Sequence, residues 1–256
     1  MNEKIEWSKM NRWELEQRSE LVDLAILPIG SLEQHGPHLP LDTDSFIAKH
    51  MVKEAVKKLD SEKPPILPTI PYGVSERHMT FPGTVTLSSN ILEEIIIDIG
   101  RSIIQHGFRS LYIYSGHIES LAPIENAARE LKKETGMIVY YDSMESMEHV
   151  GEKIIKCDND AHAGEVETSL SLALRNDLVD ERTIPDKEHD FPDTKVEFDN
   201  KTRLDYTWKV YEISPTGIIG DATEADKEKG EKLWEIGVKE LKERLETVLD
   251  LETDLR

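Results

Sequence analysis

The sequence predicts an α/β protein in which a mainly parallel central sheet lies between two layers of helices, a three-layer α/β/α arrangement. Short apolar runs alternate along the chain with longer segments of helical periodicity. The connections between them are short, as in βαβ units. Because ligands of such sheets bind outside the carboxyl ends of the strands, functional residues are expected where strands end.

Four stretches have the apolar character of buried strands. The first, "LVDLAILPIG" (21–30), ends in a continuous apolar run that a proline and a glycine close. The stretch "PPILPTIPYG" (64–73) is expected to be a strand followed by a loop. The stretches "SLYIYSGH" (110–117) and "MIVYYDS" (137–143) each follow a helical segment. These four stretches supply the predicted sheet.

Segments with apolar residues at helical spacing lie between and after the strands. Gly107 and Gly136 stand at the ends of two of them, where glycine commonly terminates a helix. The predicted helices cover 45–59, 88–108, 121–136, 164–176 and roughly 224–250. The charged stretch 177–203 has little periodicity and is expected to be a linker or an excursion. No second core follows it, so one domain is expected over 1–256.

Composition and charge narrow the possible partners. The 256 residues include 51 acidic and 31 basic side chains, and the net charge of −20 argues against a nucleic-acid partner. No window approaches the ~18 consecutive apolar residues of a membrane span, and Met1–Gln17 does not resemble a signal peptide. The single cysteine, Cys157, excludes an intrachain disulfide. A cytoplasmic protein with a small-molecule partner is expected.

Two short segments that follow predicted strands carry carboxylates and imidazoles together. In "GSLEQHGPHLPLDTDSF", Glu33 and His35 are two positions apart, and Asp44 precedes the next helix. In "SGHIES", His117 and Glu119 have the same spacing. Because positions i and i+2 of an extended segment point to one side, each pair could face one ion.

Carboxylate and imidazole donors together suit Zn, Mn or Fe rather than a soft metal, which would favour cysteines. Five such ligands exceed the three of a usual catalytic zinc site. They suit two divalent ions roughly 3.5–4 Å apart, with a carboxylate and a water between them. The alternative for each residue alone is an ordinary surface or capping role.

Five motifs in order resemble the creatininase (creatinine amidohydrolase) family: "GSLEQHGPHLPLDTD", "FPGTVTLS", "SGHIES", "HAGEVETSL" and "GIIGDATEADKEKG". The resemblance spans roughly residues 20 to 235. It implies an α/β/α fold, a dinuclear metal centre, hydrolysis of cyclic or linear amides, and assembly into a homo-oligomer, often a hexamer. The metal ligands that it implies are Glu33, His35, Asp44, His117 and Glu119, with Asp44 as the bridge.

The resemblance also implies roles for other residues. His162, in the "HAG" segment, would transfer the proton that a departing amine needs, and Glu119 would serve the catalytic site as well as the metal. Glu167 matches a family carboxylate beside the metals, either as a ligand or behind one. His38 and His78 lie in segments that resemble active-site loops, where substrate contact is expected. The attacking group would be a metal-bridging hydroxide, since divalent metals lower the pKa of bound water to about 7.

The sequence therefore predicts a metal-dependent hydrolase acting on a non-peptide C–N bond of a small amide. Residues 144–160 lack the tryptophans that creatininase proper carries before its HAG-like segment, which argues against creatinine. The branch resembling archaeal formamidopyrimidine-ribotide deformylases is favoured, with Arg77 beside His78 as the local residue that could bind phosphate. The alternatives are a creatinine-type cyclic amidase, an enzyme that trims the terminus of a short peptide, and a non-catalytic metal-binding subunit of the same fold.

Overall fold

A parallel sheet forms the centre of the protein. The computed structural model describes residues 4–144, 154–157, 160–185 and 207–254. The strands of this sheet are β1 (Leu24–Ile29), β2 (Ser110–Ser115) and β3 (Ile138–Ser143). They lie in the order β1–β2–β3, and each neighbouring pair is parallel over its full length. The carboxyl ends of all three strands therefore meet at one edge of the sheet.

Side chains of the strands alternate between two hydrophobic cores. Leu24 and Ile26 pack into one core, and Ala25 and Leu27 pack into the other, all with no exposed surface. This alternation follows from the two-residue period of a strand, with both faces of the sheet covered. Burial of a side chain such as leucine or isoleucine contributes about 1.5–3 kcal/mol.

Helices cover both faces of the sheet. The helices are α1 (Arg12–Leu21), α2 (Thr43–Lys57), α3 (Ser89–Gln105), α4 (Leu121–Thr135), α5 (Glu165–Arg175), α6 (Val210–Ile213) and α7 (Lys227–Asp254). Apolar residues of α2, α5 and α7 share the core of Leu24, whereas those of α3 and α4 share the core of Leu27. The α/β class with a parallel sheet between helices is thus confirmed. Among the helices of the described ranges, none is long and apolar enough to cross a membrane.

Helix α1 was not expected from the sequence. None of its residues is buried, so it lacks the apolar stripe by which helices are recognised. Its start is fixed locally: the backbone N–H of Glu14 donates to Asn11 Oδ1 at 3.0 Å, and Asn11 N–H donates to Glu14 Oε2 at 2.8 Å. This reciprocal capping box satisfies two amide groups that a helix start leaves unpaired.

The expectation of a regular strand over 64–73 is wrong. The segment runs parallel to β1 but forms only isolated bridges, at Ile66 and Ile70. Pro65 and Pro68 have no N–H group to donate, so a continuous ladder of hydrogen bonds cannot form. The other predicted strands and helices are confirmed, with ends shifted by a few residues.

Part of two predicted features lies outside the described residues. Of the charged stretch 177–203, residues 186–203 are not described, and its described part contains the short 3₁₀ turns Asn176–Leu178 and Glu181–Thr183. Most of 144–160 is likewise not described. The prediction of a linker or excursion, and that of a single domain over 1–256, stay predictions.

Candidate metal centre

Two glycines bring the start of α2 against the ends of β1 and β2. A Cβ atom on Gly30 would lie 2.3 Å from the Cα atom of Ser45, and one on Gly116 would lie 2.4 Å from the carbonyl oxygen of Asp44. Any other residue at either position would push α2 away from the sheet. Asp44 is therefore held at the edge where both strands end.

Asp44 lies between two imidazoles. Its Oδ1 is 3.0 Å from His35 Nε2, and its Oδ2 is 3.3 Å from His117 Nδ1. The Ser31 hydroxyl donates a hydrogen bond to the same Oδ2 at 2.6 Å. Asp44 is only 1% exposed. A carboxylate with one oxygen toward each imidazole has the arrangement of a bridging ligand.

Glu33 is fully buried and faces three imidazoles. Its Oε2 lies 3.2 Å from His117 Nε2, and its Oε1 lies 3.6 Å from His78 Nε2 and 3.7 Å from His162 Nδ1. Among the described residues, none makes a hydrogen bond of good geometry to either carboxylate oxygen. Burial raises the pKa of Glu33 to about 7, although the charge of His117 opposes this shift. Such a group is costly to bury unless something else binds it.

Besides Asp44, a second carboxylate lies near His35 Nε2, that of Glu167. It belongs to the first turn of α5, and its Oε1 lies 3.7 Å from His35 Nε2. The backbone N–H of Ala163 donates to its Oε2 at 2.5 Å. His35 Nδ1 lies 3.2 Å from the carbonyl oxygen of Glu33, to which it can donate. That bond directs Nε2 toward the two carboxylates, as in metal-binding histidines.

The charges of these groups stabilise one another. Burial alone would lower the pKa of His35, but Asp44 and Glu167 outweigh it and raise that pKa well above its ordinary value. The pKa of His117 is raised in the same way, chiefly by Glu33 against the effect of burial. Burial would raise the pKa of Asp44, yet the two imidazoles hold it well below its usual range. Because histidine binds a metal only when deprotonated, a bound cation would displace these protons.

Gln34 connects two further histidines. Its Nε2 lies 3.0 Å from His78 Nδ1, 3.0 Å from the carbonyl oxygen of Gly217 and 3.1 Å from His162 Nε2. His162 Nε2 lies 2.8 Å from the carbonyl oxygen of Gln34, so the network assigns its proton to Nε2. The two amide hydrogens of Gln34 then go to His78 and Gly217. In this arrangement the Nδ1 lone pair of His162 is left on the side of Glu33.

His162 and His78 are both neutral in this arrangement. Burial, followed by the positive charge of His35, lowers the pKa of His162 to about 4. Burial is also the main cause that lowers the pKa of His78. Since His78 accepts the hydrogen bond of Gln34 at Nδ1, its own proton is on Nε2, toward Glu33. His78 is therefore a hydrogen-bond donor rather than a metal ligand in this tautomer.

Glu119 lies at the margin of the cluster. Its Oε2 is 3.8 Å from His117 Nε2, whereas its Oε1 is 2.8 Å from Arg77 Nε. His38 is farther removed: its Nε2 lies 2.8 Å from the hydroxyl of Thr168 on α5, and burial lowers its pKa to about 4. The substrate contact expected of His38 and His78 stays a prediction.

The donor atoms fall into compact groups that fit a metal. Within the described part of the chain, three sets have all their donor atoms within 4.8 Å: Glu33, His35 and His162; Glu33, His78 and His117; and His35, Asp44 and Glu167. The unsatisfied Glu33 oxygens and His117 Nε2 are the atoms that a cation would satisfy. Carboxylate and imidazole ligands without cysteine match Zn, Mn or Fe.

A known protein family matches most of the chain. The sequence profile of the creatinine amidohydrolase (creatininase) family matches residues 8–245. The chain belongs to this family.

Curated creatininase relatives differ in what their names say they act on. A mycofactocin precursor peptide peptidase from Mycolicibacterium smegmatis is 30% identical over 85% of this chain and 82% of its own. A creatinine amidohydrolase from Pseudomonas putida is 28% identical over 83% and 85%. A 2-amino-5-formylamino-6-ribosylaminopyrimidin-4(3H)-one 5′-monophosphate deformylase from Methanobrevibacter ruminantium is 26% identical over 63% and 62%. This chain, as a creatininase-family protein, is a hydrolase acting on carbon–nitrogen bonds.

Solved creatininase structures have the same fold. A creatininase and a mutant creatininase of Zn–Zn type each superpose with a TM-score of 0.80 at 25% identity, over 97% of this chain and 99% of theirs. Zinc is thus named in the description of one of these two structural relatives.

Three residues near the creatininase site were not assigned a role from the sequence. Gln34 lies between two predicted ligands in the sequence. Its amide is not a metal donor, so the sequence gave no reason to assign it a role. Asp160 is buried, and it accepts hydrogen bonds from the backbone N–H groups of Glu165 at 2.6 Å and Val166 at 2.8 Å. It thereby caps the helix that carries Glu167. Trp208 lies under Arg77, far from it in sequence.

Proposed function

We propose that this chain is a metal-dependent amidohydrolase that cleaves a non-peptide C–N bond of a small amide and holds two divalent ions, Zn, Mn or Fe. The observation that carries the proposal is the buried Asp44 between His35 and His117, with Glu33 unsatisfied on one side and Glu167 on the other. These five buried donors are carboxylates and imidazoles, the ligand types that suit Zn, Mn or Fe.

Each ion would share Asp44. We assign His35, Asp44 and Glu167 to one ion, and Glu33 with His117 Nε2 to the other, with Glu119 beside it. Asp44, which faces Nδ1 of His117, would be the bridge that the family resemblance implies. Ions bound there would polarise an amide carbonyl and supply water of lowered pKa. The metal-bridging hydroxide expected from the sequence and the assignment of Glu119 as a fifth ligand stay predictions.

His162 is suited to move the proton of the reaction. Its Nε2–H group donates to the backbone of Gln34, so its Nδ1 can accept a proton on the side of Glu33. Its lowered pKa keeps that nitrogen unprotonated at neutral pH, as a general base requires. The imidazolium that forms can then donate the same proton to the departing amine.

The relatives leave three substrate classes open. The deformylase relative supports a formamidopyrimidine ribotide, the branch favoured by sequence, but such a phosphorylated substrate needs several cationic or N–H donors. The peptide peptidase covers more of this chain and supports the alternative of an enzyme that trims the terminus of a short peptide. A creatinine-type ring has the support of the Pseudomonas putida enzyme. A cytoplasmic location and a homo-oligomer, of the often hexameric kind that the resemblance implies, stay predictions.

The test is hydrolysis by protein reconstituted with Mn or Zn, screened against formamides, cyclic amides and short linear amides. His162→Asn should lower kcat on any substrate found by about 10²- to 10⁴-fold without changing the metal content, because only proton transfer is lost. His106→Asn, at an exposed position after α3, is the matched control. Unchanged turnover in His162→Asn would contradict the role of this residue.

A further inference from the structure

Arg77 stands at the edge of the candidate metal centre. Its Nε lies 2.8 Å from Glu119 Oε1, and the other oxygen of Glu119 is 3.8 Å from His117 Nε2. One carboxylate therefore separates the guanidinium from a proposed metal ligand. The Arg77 side chain is 41% exposed, whereas that of Glu119 is 9% exposed. Arg77 thus lies between the buried donors and solvent.

The guanidinium of Arg77 lies over an aromatic ring. Its Cζ atom lies 4.4 Å from the centroid of the Trp208 ring. Phe81 and Tyr211, from the same two segments, make an edge-on ring contact with centroids 6.2 Å apart. Through these two contacts, the loop after Ser75 packs against residues 207–213. Stacking orders the guanidinium and removes water from one of its faces, so less entropy is lost when it binds a ligand.

One edge of this guanidinium has no ion-pair or ring partner among the described residues. Of these residues, Glu119 is the ion-pair partner of Arg77, through Nε, and Trp208 is its aromatic contact. The two Nη groups can therefore donate to a ligand. A planar pair of N–H groups matches the two oxygens of a carboxylate. A phosphate dianion usually requires several such donors, so a carboxylate fits this edge better.

Because the whole chain is strongly negative, a positive side chain inside the site matters for the binding of an anionic substrate. At a net charge of −20, the protein repels anions at long range. An anionic substrate would therefore gain specificity only from contacts inside the site. Arg77 is placed to provide such a contact.

We propose that Arg77 binds a carboxylate group of the substrate, so that the preferred substrates are amides with a carboxylate close to the scissile C–N bond. This inference rests on the proposed function, because it places the amide over the candidate metal centre. It makes Arg77 a specificity-determining residue, and Trp208 the residue that positions it.

The test measures binding to the Mn- or Zn-loaded protein by calorimetry. The probes are hydroxamates, which attach to metal centres, with a terminal carboxylate after two, three or four methylene groups, and neutral alkyl hydroxamates of equal length. We expect the best carboxylate probe to bind roughly 10- to 100-fold more tightly than its neutral counterpart. Arg77→Met should abolish this preference while metal content and affinity for the neutral probe stay unchanged.

Control variants separate the charge from the geometry. Arg77→Lys should recover part of the preference, Trp208→Leu should reduce it, and Arg182→Met should leave it intact, since Arg182 is 87% exposed and paired with Asp180. Equal preference in wild type and Arg77→Met would overturn the inference. Loss of metal from Arg77→Met would also overturn it, because Arg77 would then act only on Glu119.

Two further outcomes distinguish a wrong substrate class from a failure of the proposed function. If a phosphonate probe binds more tightly than every carboxylate probe, the substrate class assigned here is wrong. If the protein takes up no metal, or binds no hydroxamate at all, the proposed function itself fails and the role of Arg77 fails with it. A neutral hydroxamate that binds as tightly as its carboxylate counterpart leaves the metal centre intact and contradicts only the inference.

Discussion

Two glutamates with no exposed surface, Glu33 and Glu165, differ in what the protein provides for them. Glu165 Oε2 accepts hydrogen bonds from the backbone N–H groups of Lys156 at 2.8 Å and Cys157 at 2.9 Å, and its Oε1 pairs with the Lys229 ammonium. Glu33 receives no hydrogen bond of good geometry from the described residues. One buried carboxylate is satisfied by the fold, and the other is not.

This difference distinguishes a structural charge from a functional one. A buried carboxylate that stabilises a fold must recover its lost hydration from partners, as Glu165 does by joining α5, α7 and residues 154–157. Glu33 instead faces the imidazoles of His117, His78 and His162. Its unmet hydrogen-bonding capacity is what a cation would use.

The largest expected effect contrasts the two glutamates in protein stripped of metal by a chelator. Glu165→Gln should lower the free energy of unfolding by about 3–5 kcal/mol, because Lys229 loses its buried counterion. Glu33→Gln should lower it less, because no hydrogen bond of good geometry from the described residues is lost and His117, unlike Lys229, can release its proton when the counterion is removed. Urea unfolding of both variants measures this. Equal losses would show that Glu33 is as structural as Glu165.

A smaller effect is expected when Gln34 is replaced. This replacement tests the role of the histidines that face Glu33. Gln34→Met keeps the volume of the side chain but removes the N–H groups that fix the tautomer of His78. We expect kcat to fall about 10- to 100-fold with metal content unchanged, a loss typical of groups that orient a catalytic residue. Gln17→Met, at an exposed position of α1, is the control. A loss of metal instead would mean that Gln34 supports the ligands.

The smallest effect concerns Asp160, a third buried carboxylate, whose two backbone hydrogen bonds only partly replace water. Burial raises its pKa to about 7 despite those bonds. The folded protein therefore keeps this proton to higher pH than the unfolded chain does. The stability that this proton contributes is present below the unfolded pKa of about 3.9 and is lost as the pH rises through the folded one.

Asp160→Asn has no such proton. Between about pH 5 and about pH 6, its free energy of unfolding should therefore fall less than that of wild type, by of the order of 1 kcal/mol. Urea unfolding at several pH values measures the difference. Asp98→Asn, at a mostly exposed carboxylate, is the control. Parallel curves for wild type and Asp160→Asn would contradict the raised pKa.

The fold could be predicted because its signals are local. Apolar periodicity indicated β1, β2, β3 and the long helices. Helix α1 was missed because none of its residues is buried. The segment 64–73 has the apolar content of a strand, but its prolines cannot join a ladder. The bounds of the elements depend on hydrogen bonds that periodicity does not report.

The candidate site could be predicted only in part. The i, i+2 pairs and the strand ends indicated Glu33, His35, Asp44 and His117, and the structure brings these four side chains together. The pairing of Arg77 with Glu119 depends on a distant segment that carries Trp208, and no spacing in the sequence reveals it. The ligand and catalytic assignments themselves stay predictions.

If the unsatisfied carboxylate of Glu33 binds metal, the metal content per chain tests this most directly. It is measured by elemental mass spectrometry in protein purified without chelator or affinity-tag metal. We expect about two divalent ions per chain in wild type and in Glu165→Gln, and clearly fewer in Glu33→Gln, because two ions sharing a bridging carboxylate are what these donors suit. No metal in wild type after soaking with Zn or Mn, or equal content in Glu33→Gln, would contradict the account.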